Sequence, residues 1–283
     1  MPRLPAWLRP PKANADGTMA LVDHLREARY RLLVSAAAII VLSCVALIVY
    51  QQLLEVVLWP IRQAITLYQQ AHPGSQVEMV THGLTSPFSF YLKVCVMAGF
   101  LAACPVWLYQ LWRFIAPGLQ KKERRTALRF LVPAVPLFLA GVALGYWVTP
   151  RGFAVLLGFN PPSVINLNDL NDYLAFELRL LVIFGSAFLL PVVLVMLNRF
   201  GLVKATALAR WRKGAILICV IFSAVATPTT DALTMLMLAV PMVAMYVVAE
   251  IICRIHDRGE KAIGSPPPEP VEVEGSQHGA DGH

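Results

Sequence analysis

From Leu32 to Tyr50 the chain runs for 19 residues without a charged side chain. As a helix, at about 1.5 Å per residue, that stretch matches a bilayer hydrocarbon core of about 30 Å. Comparable runs recur, and six spans are expected, over 32–50, 90–112, 127–149, 174–197, 214–226 and 232–252. The first four are long enough to cross. The fifth, at about 13 residues, reaches only about 20 Å, so the bilayer must thin there or the helix must shelter behind its neighbours. Alternatively 214–252 is one hairpin interrupted by "TPTTD" at 227–231, which gives the same topology.

Composition agrees: hydrophobic residues make up 57% of the chain and charged ones 14%, against about 25% charged in an ordinary soluble domain. The predicted fold class is an all-α integral membrane protein. Its six transmembrane helices are kinked into a concave bundle, helices 5 and 6 are short, and both termini lie inside. Residues 1–20 read as a disordered, Pro-rich arm and 258–283 as a disordered tail, flanking a membrane domain over 21–257. Leu21, Leu25, Ala28 and Leu32 recur at helical spacing, so an amphipathic helix on the membrane surface leads into the first span. The first apolar run lacks a cleavage-site pattern and is expected to be retained.

Orientation follows from the basic residues. The segments before span 1, between spans 2 and 3, between spans 4 and 5, and after span 6 hold 20 of the 24 lysines and arginines, counting Arg129 at the start of span 3. That asymmetry places both termini in the cytoplasm. The two outer loops, about 51–89 and 150–173, are long; the first carries an amphipathic stretch that Pro60 is expected to break. Pro105, Pro133, Pro136, Pro191 and Pro241 fall within spans, where they either kink the helices or are simply tolerated.

Chemistry-bearing signals are few. The five cysteines show no metal spacing and read as small buried hydrophobes. No histidine pair or hydrolase motif stands in a span, and neither a metal nor a cofactor is expected. Lys93, Glu177, Arg179 and Glu250 lie toward span ends and are expected to reach the interface by snorkelling. A mid-membrane ion pathway would mark itself with buried charge. Its absence from the sequence weighs against a pump, and the basic clusters between apolar runs do not suggest nucleic acid.

Two lone glutamates stand in basic clusters: Glu27 in "DHLREARYRLL" and Glu123 in "GLQKKERRTAL". Glu27 is placed for an i, i+4 pair with Arg31, and Glu123 for charge balance with its neighbours. The other reading makes each an acceptor for a guest guanidinium. Asp231, after "TPTT", is placed to cap the last span.

The runs "DHLREARYRLL", "SPFSFYLKV", "PVWLYQLWRFIAPGLQKKERR", "FGSAFLLPVVLVMLN" and "ATPTTDALTMLMLAVPM" together resemble the TatC family, the core receptor subunits of the twin-arginine protein translocase. The resemblance spans Leu21 to about Asp257. It implies a non-enzymatic protein of the bacterial inner membrane that binds Arg-Arg signal peptides of folded cargo. It also implies recruitment of TatA-like and TatB-like single-span partners into an oligomeric complex, with export driven by the proton-motive force. Glu27 and Glu123 match the family's signal-peptide acids, and Arg29, Phe114, Pro117, Leu119 and Arg124 match other positions of that region. Pro60, Thr227 and Asp231 match structural or partner-contact positions. The chain departs from the family pattern at Leu189, where many members carry a glutamate, and near Met235, where a glutamine is common. A small-solute transporter or channel, or a scaffold that has lost transport, are the competing classes.

Overall fold

The computed structural model describes residues 21–115, 121–159, 166–199, 201, 203–226 and 232–264. The N-terminal arm, most of the C-terminal tail, Pro117, Leu119, Thr227 and Asp231 lie outside the described residues. Glu123 and Arg124 fall in a helix whose side chains there are likewise outside the description.

Ten helices and two short strands follow one another among the described residues: α1 (Leu21–Ile48), α2 (Tyr50–Ala71), β1 (Val77–Val80), α3 (Ser86–Ala102), α4 (Cys104–Ile115), α5 (Lys121–Leu157), β2 (Asn166–Asp169), α6 (Leu170–Phe188), α7 (Leu190–Arg199), α8 (Ala205–Arg210), α9 (Arg212–Ala226) and α10 (Ala232–Gly264). Four stretches are long and apolar enough to cross a membrane: His24–Ile48, Val132–Leu157, Leu170–Arg199 and Met235–Asp257. A fifth is formed if the pair Ser86–Ala102 and Cys104–Phe114, bent by 59°, counts as one span. The segment expected as a short fifth span falls on α9, whose 15 residues reach about 22 Å and which is not among the stretches long and apolar enough to cross. The expectation of a short sixth helix is corrected: α10 is 33 residues long. Polar groups along one of its faces bond the cytoplasm-predicted segments, and the helix continues past 257.

Two breaks share one device. Ala103 ends α3 and Leu189 ends α6, and in each case the next helix carries proline at its second position, Pro105 and Pro191. Proline lacks an N–H that the first turn would leave unpaired in any case. At the first break the Trp107 indole Nε1–H donates to the Phe100 carbonyl at 3.1 Å, and the two rings stack at 5.1 Å. Pro133, Pro136 and Pro241 lie inside continuous helices.

Pro60 does not break its helix either. α2 runs through it, and the residue is buried. The carbonyl that proline cannot bond is that of Val56, four residues earlier, and it accepts from the Tyr146 hydroxyl at 2.8 Å. A partner 90 positions away thus compensates the missing hydrogen bond.

The most extensive helix contact is that of α5 with α6. Gly141 and Gly145, spaced as G-x-x-x-G, face Phe184 and Phe188, and a Cβ on Gly141 would lie 2.5 Å from the Phe184 carbonyl. Opposite, a Cβ on Gly185 would lie 2.6 Å from the ring of the fully buried Phe138. Small residues are what let two backbones approach this closely without a driving force from water.

On the side between α2 and α3, β1 and β2 form a parallel pair, Val77 to Val80 against Asn166 to Asp169. Four-residue strands inside polar loops carry too little periodicity to be read from sequence, and they were not expected. Asp169 caps α6 by accepting from the Asn171 N–H at 2.6 Å. It also accepts from the His82 backbone N–H and meets the His82 Nδ1 at 3.0 Å. The Asn171 N–H first, and His82 next, hold the Asp169 carboxyl below its ordinary value. Asn171 in turn donates to Ser86 and accepts from the Lys93 ammonium at 3.1 Å.

Two further expectations are corrected. Glu177 and Glu250 do not snorkel: they are 0% and 1% exposed, because the faces of α6 and α10 that carry them are packed inward. Arg179 is exposed and Lys93 half-buried. Four of the five cysteines are buried, but Cys44 is exposed on α1.

Candidate receptor site

Glu27 lies two turns into α1, on the helix face turned toward α4. It and Arg31 are each 8% exposed. The Arg31 guanidinium donates through Nε at 3.1 Å to Glu27 Oε1, and through Nη2 to the same oxygen. The i, i+4 pair anticipated from spacing is therefore present. It takes only one carboxylate oxygen. Oε2 is buried and has no hydrogen-bond partner. A carboxylate offers about four lone-pair directions and can hold a guanidinium through two parallel bonds. Glu27 thus retains accepting capacity on its second oxygen.

Arg31, which pairs with Glu27, also lines a largely apolar groove. One turn before Glu27, His24 stacks on Phe114 at 4.6 Å and 16°, which pins the start of α1 to the end of α4. Beside them lies that groove, of about 470 Å³, between α1 and α4, lined among others by Arg29, Leu32, Ile39, Phe100, Trp107 and Phe114. A second groove of about 850 Å³, bounded by Phe88, Leu92, Lys93 and Val182, shares Ile39 and Phe100 with it. The two adjoin at Ile39 and Phe100 and together make an apolar trough along α1, α3 and α6.

Of the residues singled out in the sequence, the fold brings together Glu27, Arg29 and Phe114. Pro60 sits apart, buried in α2 beneath Tyr146. α5, which carries Glu123 and Arg124, starts at Lys121, six residues after α4 ends. Sequence reading missed His24, Phe100 and Trp107. A stacked pair and a trough floor arise from contacts between helices, and only Trp107, three residues from the Gln110 on the rim, hints at it through helical spacing. Leu189, at the departure from the family pattern, is buried in a cluster with Phe138, Met196 and Tyr246.

A second acidic centre sits between α9 and α10. Arg212 grips both oxygens of Glu250, Nη2 to Oε1 at 2.7 Å and Nε to Oε2 at 2.9 Å, while Arg254 reaches Oε1 at 2.6 Å. On the same face of α10, the Tyr246 hydroxyl donates to the Leu208 carbonyl. Asp257 accepts from the Ala205 N–H and the Asn198 amide. This row fastens α7, α8 and α9 to α10. Among the described residues no group of His, Cys, Asp and Glu could hold a metal ion.

Comparison with known proteins places the chain. The family described as Sec-independent protein translocase protein (TatC) matches residues 23–241. The protein of that name from Xylanimonas cellulosilytica is 39% identical over 240 residues, covering 85% of each chain. The one from Aquifex aeolicus is 32% identical over 248 residues, covering 87% of this chain and 99% of its own. A crystal structure of a twin arginine translocase receptor, TatC, superposes with a TM-score of 0.66 at 32% identity, over 83% of this chain and 100% of that one. The profile, the relatives and the fold agree: this chain is a member of the TatC family, a multi-pass membrane receptor subunit of twin-arginine protein export and not an enzyme.

Proposed function

We propose that the chain binds the paired arginines of an export signal peptide at Glu27 and Glu123, with the apolar part of the peptide running along the trough. The observation that carries this reading is the buried Oε2 of Glu27, which has no hydrogen-bond partner among the described residues and belongs to a carboxylate paired with Arg31, a residue of the groove wall. A guest guanidinium would supply the missing donor there. Its charge-assisted bonds form in surroundings of low dielectric, where they are worth more than in water. Arg29, at the groove's edge, and Phe114, stacked on His24, support the same end. Arg124, Pro117 and Leu119 are assigned to the site by family resemblance.

The topology proposed with this function has six spans with both termini in the cytoplasm of a bacterial inner membrane. α9 is the short fifth. Its 15 residues favour local thinning of the bilayer, since mismatch costs fractions of a kcal/mol per Å. Single-span TatA-like and TatB-like proteins would assemble beside it, in an oligomer driven by the proton-motive force. Thr227 and Asp231, which fall between α9 and α10 in the sequence, and Pro60 would act there as structural or contact positions.

The test is export of a folded reporter carrying an Arg-Arg signal, in cells whose own receptor is replaced by this chain. Glu123→Ala and Glu27→Ala should each reduce export strongly. Undiminished export with both substitutions combined would defeat the assignment.

A further inference from the structure

The side chain least explained by the receptor reading is Glu177. It is 0% exposed within the Leu170–Arg199 span, and among the described residues neither oxygen makes a close hydrogen bond or meets a cation, the Tyr173 hydroxyl one turn earlier being its hydrogen-bonding neighbour. Buried charges in proteins are paired, and an ionisable group inside a membrane segment marks a functional site by default. No described basic side chain pairs with it. Lys93 on α3 is bound to Asn171, Arg179 on its own helix is exposed, and Glu55 and Arg62 on α2 are exposed.

Two tyrosines, Tyr173 and Tyr146, stand with Glu177. Tyr173, one turn earlier, is 2% exposed and reaches the Val57 carbonyl at 3.4 Å. Tyr146 on α5 donates to the Val56 carbonyl that Pro60 leaves open. Both tyrosines act electrostatically with Glu177. Their hydroxyls therefore hold α2 against α5 and α6 at the place where the acid is buried, and the titratable groups facing it are these two.

We propose that Glu177 is a proton-binding site of the membrane domain whose occupancy is coupled to the seating of α2. With α2 packed, no cation among the described residues compensates a carboxylate and only the Tyr173 hydroxyl stands by it, so the carboxyl keeps its proton. When α2 separates, water reaches the two oxygens and the proton leaves to it. The ligand is a hydrogen ion, and the moving part is the α2 contact. This inference stands on burial and packing, so it survives or fails independently of arginine recognition at Glu27.

The test is infrared difference spectroscopy of the full chain in lipid nanodiscs, wild type against Glu177→Gln, a variant of nearly the same shape. At neutral pH the wild type should show the carbonyl stretch of a protonated carboxylic acid, shifted in D2O and absent from the variant. Carboxylate bands in its place would overturn the proposal. Tyr146→Phe should then loosen α2, read as faster amide exchange in 50–71. It should move the pH at which the band disappears down by about one unit, a tenfold change in proton concentration. If Tyr146→Phe unfolds the protein, Tyr173→Phe makes the same comparison. Faster exchange with an unmoved band would show that occupancy and seating are uncoupled, and would also overturn the proposal. Signal-peptide binding measured on Glu177→Gln should stay within twofold of wild type, which separates this result from the receptor reading.

Discussion

Glu27 and Glu250 are both buried, both paired with an arginine on the same helix, and differ in how many bonds remain to be made. Glu250 has both oxygens bonded, held by Arg212 from α9 and Arg254 from α10. Glu27 has one oxygen filled by Arg31 and one empty. Identical chemistry therefore serves two ends. A saturated carboxylate fixes one helix to another, and in the proposed function an unsaturated one keeps a place for a guest. Valence distinguishes the lock from the receptor more sharply than burial or charge does.

Removing the donors from the saturated centre should do the most damage. With Arg212→Ala and Arg254→Ala combined, Glu250 is left buried and unpaired, and stability should fall by about 3–5 kcal/mol, measured by thermal unfolding in detergent. A shift of less than about 1 kcal/mol would erase the contrast between the centres. At the unsaturated centre the effect should appear in binding. Glu27→Ala should weaken a synthetic Arg-Arg peptide about 10–100-fold, or about 1.4–2.8 kcal/mol, by titration in nanodiscs. Folded stability should change by less than in the double arginine variant.

Arg31→Gln sharpens the comparison further. It strips the internal counter-charge from Glu27, so the guest arginine becomes the sole cation on it. The same peptide should then bind a few fold more tightly, provided the variant folds, while the protein without peptide loses about 1–3 kcal/mol. A weaker complex would mean that Arg31 orients the guest and does not compete with it. The smallest effect belongs to a third carboxylate away from both centres. Asp169→Ala should cost about 1 kcal/mol through the lost helix cap. Because the folded carboxyl titrates below its ordinary value, its contribution is present above that ordinary value and disappears as pH falls through the lowered one. Acid unfolding of the variant should accordingly be less steep.

Much of this was legible in the sequence. The long apolar runs, the short stretch now seen as α9, the asymmetry of basic residues and the pairing of Glu27 with Arg31 are all local, and local patterns survive in one dimension. What escaped was set by distant partners. Nothing near Glu250 announces Arg212, 38 positions earlier. Nothing in "AFELRLL" says which face of α6 turns inward, so Glu177 and Arg179, two residues apart, take opposite fates. The strands β1 and β2 are defined only by each other. The open oxygen of Glu27 could not be read either, because spacing specifies a pair and not which atoms it uses.

The continuity of α2 has a consequence for how this protein tolerates change. Its integrity at Pro60 is guaranteed from another helix, by a single hydroxyl on Tyr146. The two positions form a contract, so that phenylalanine at 146 should be harmful beside proline and far milder beside alanine, which restores the backbone donor. Swapping α2 between relatives without its counterpart on α5 would import the liability and leave its remedy behind.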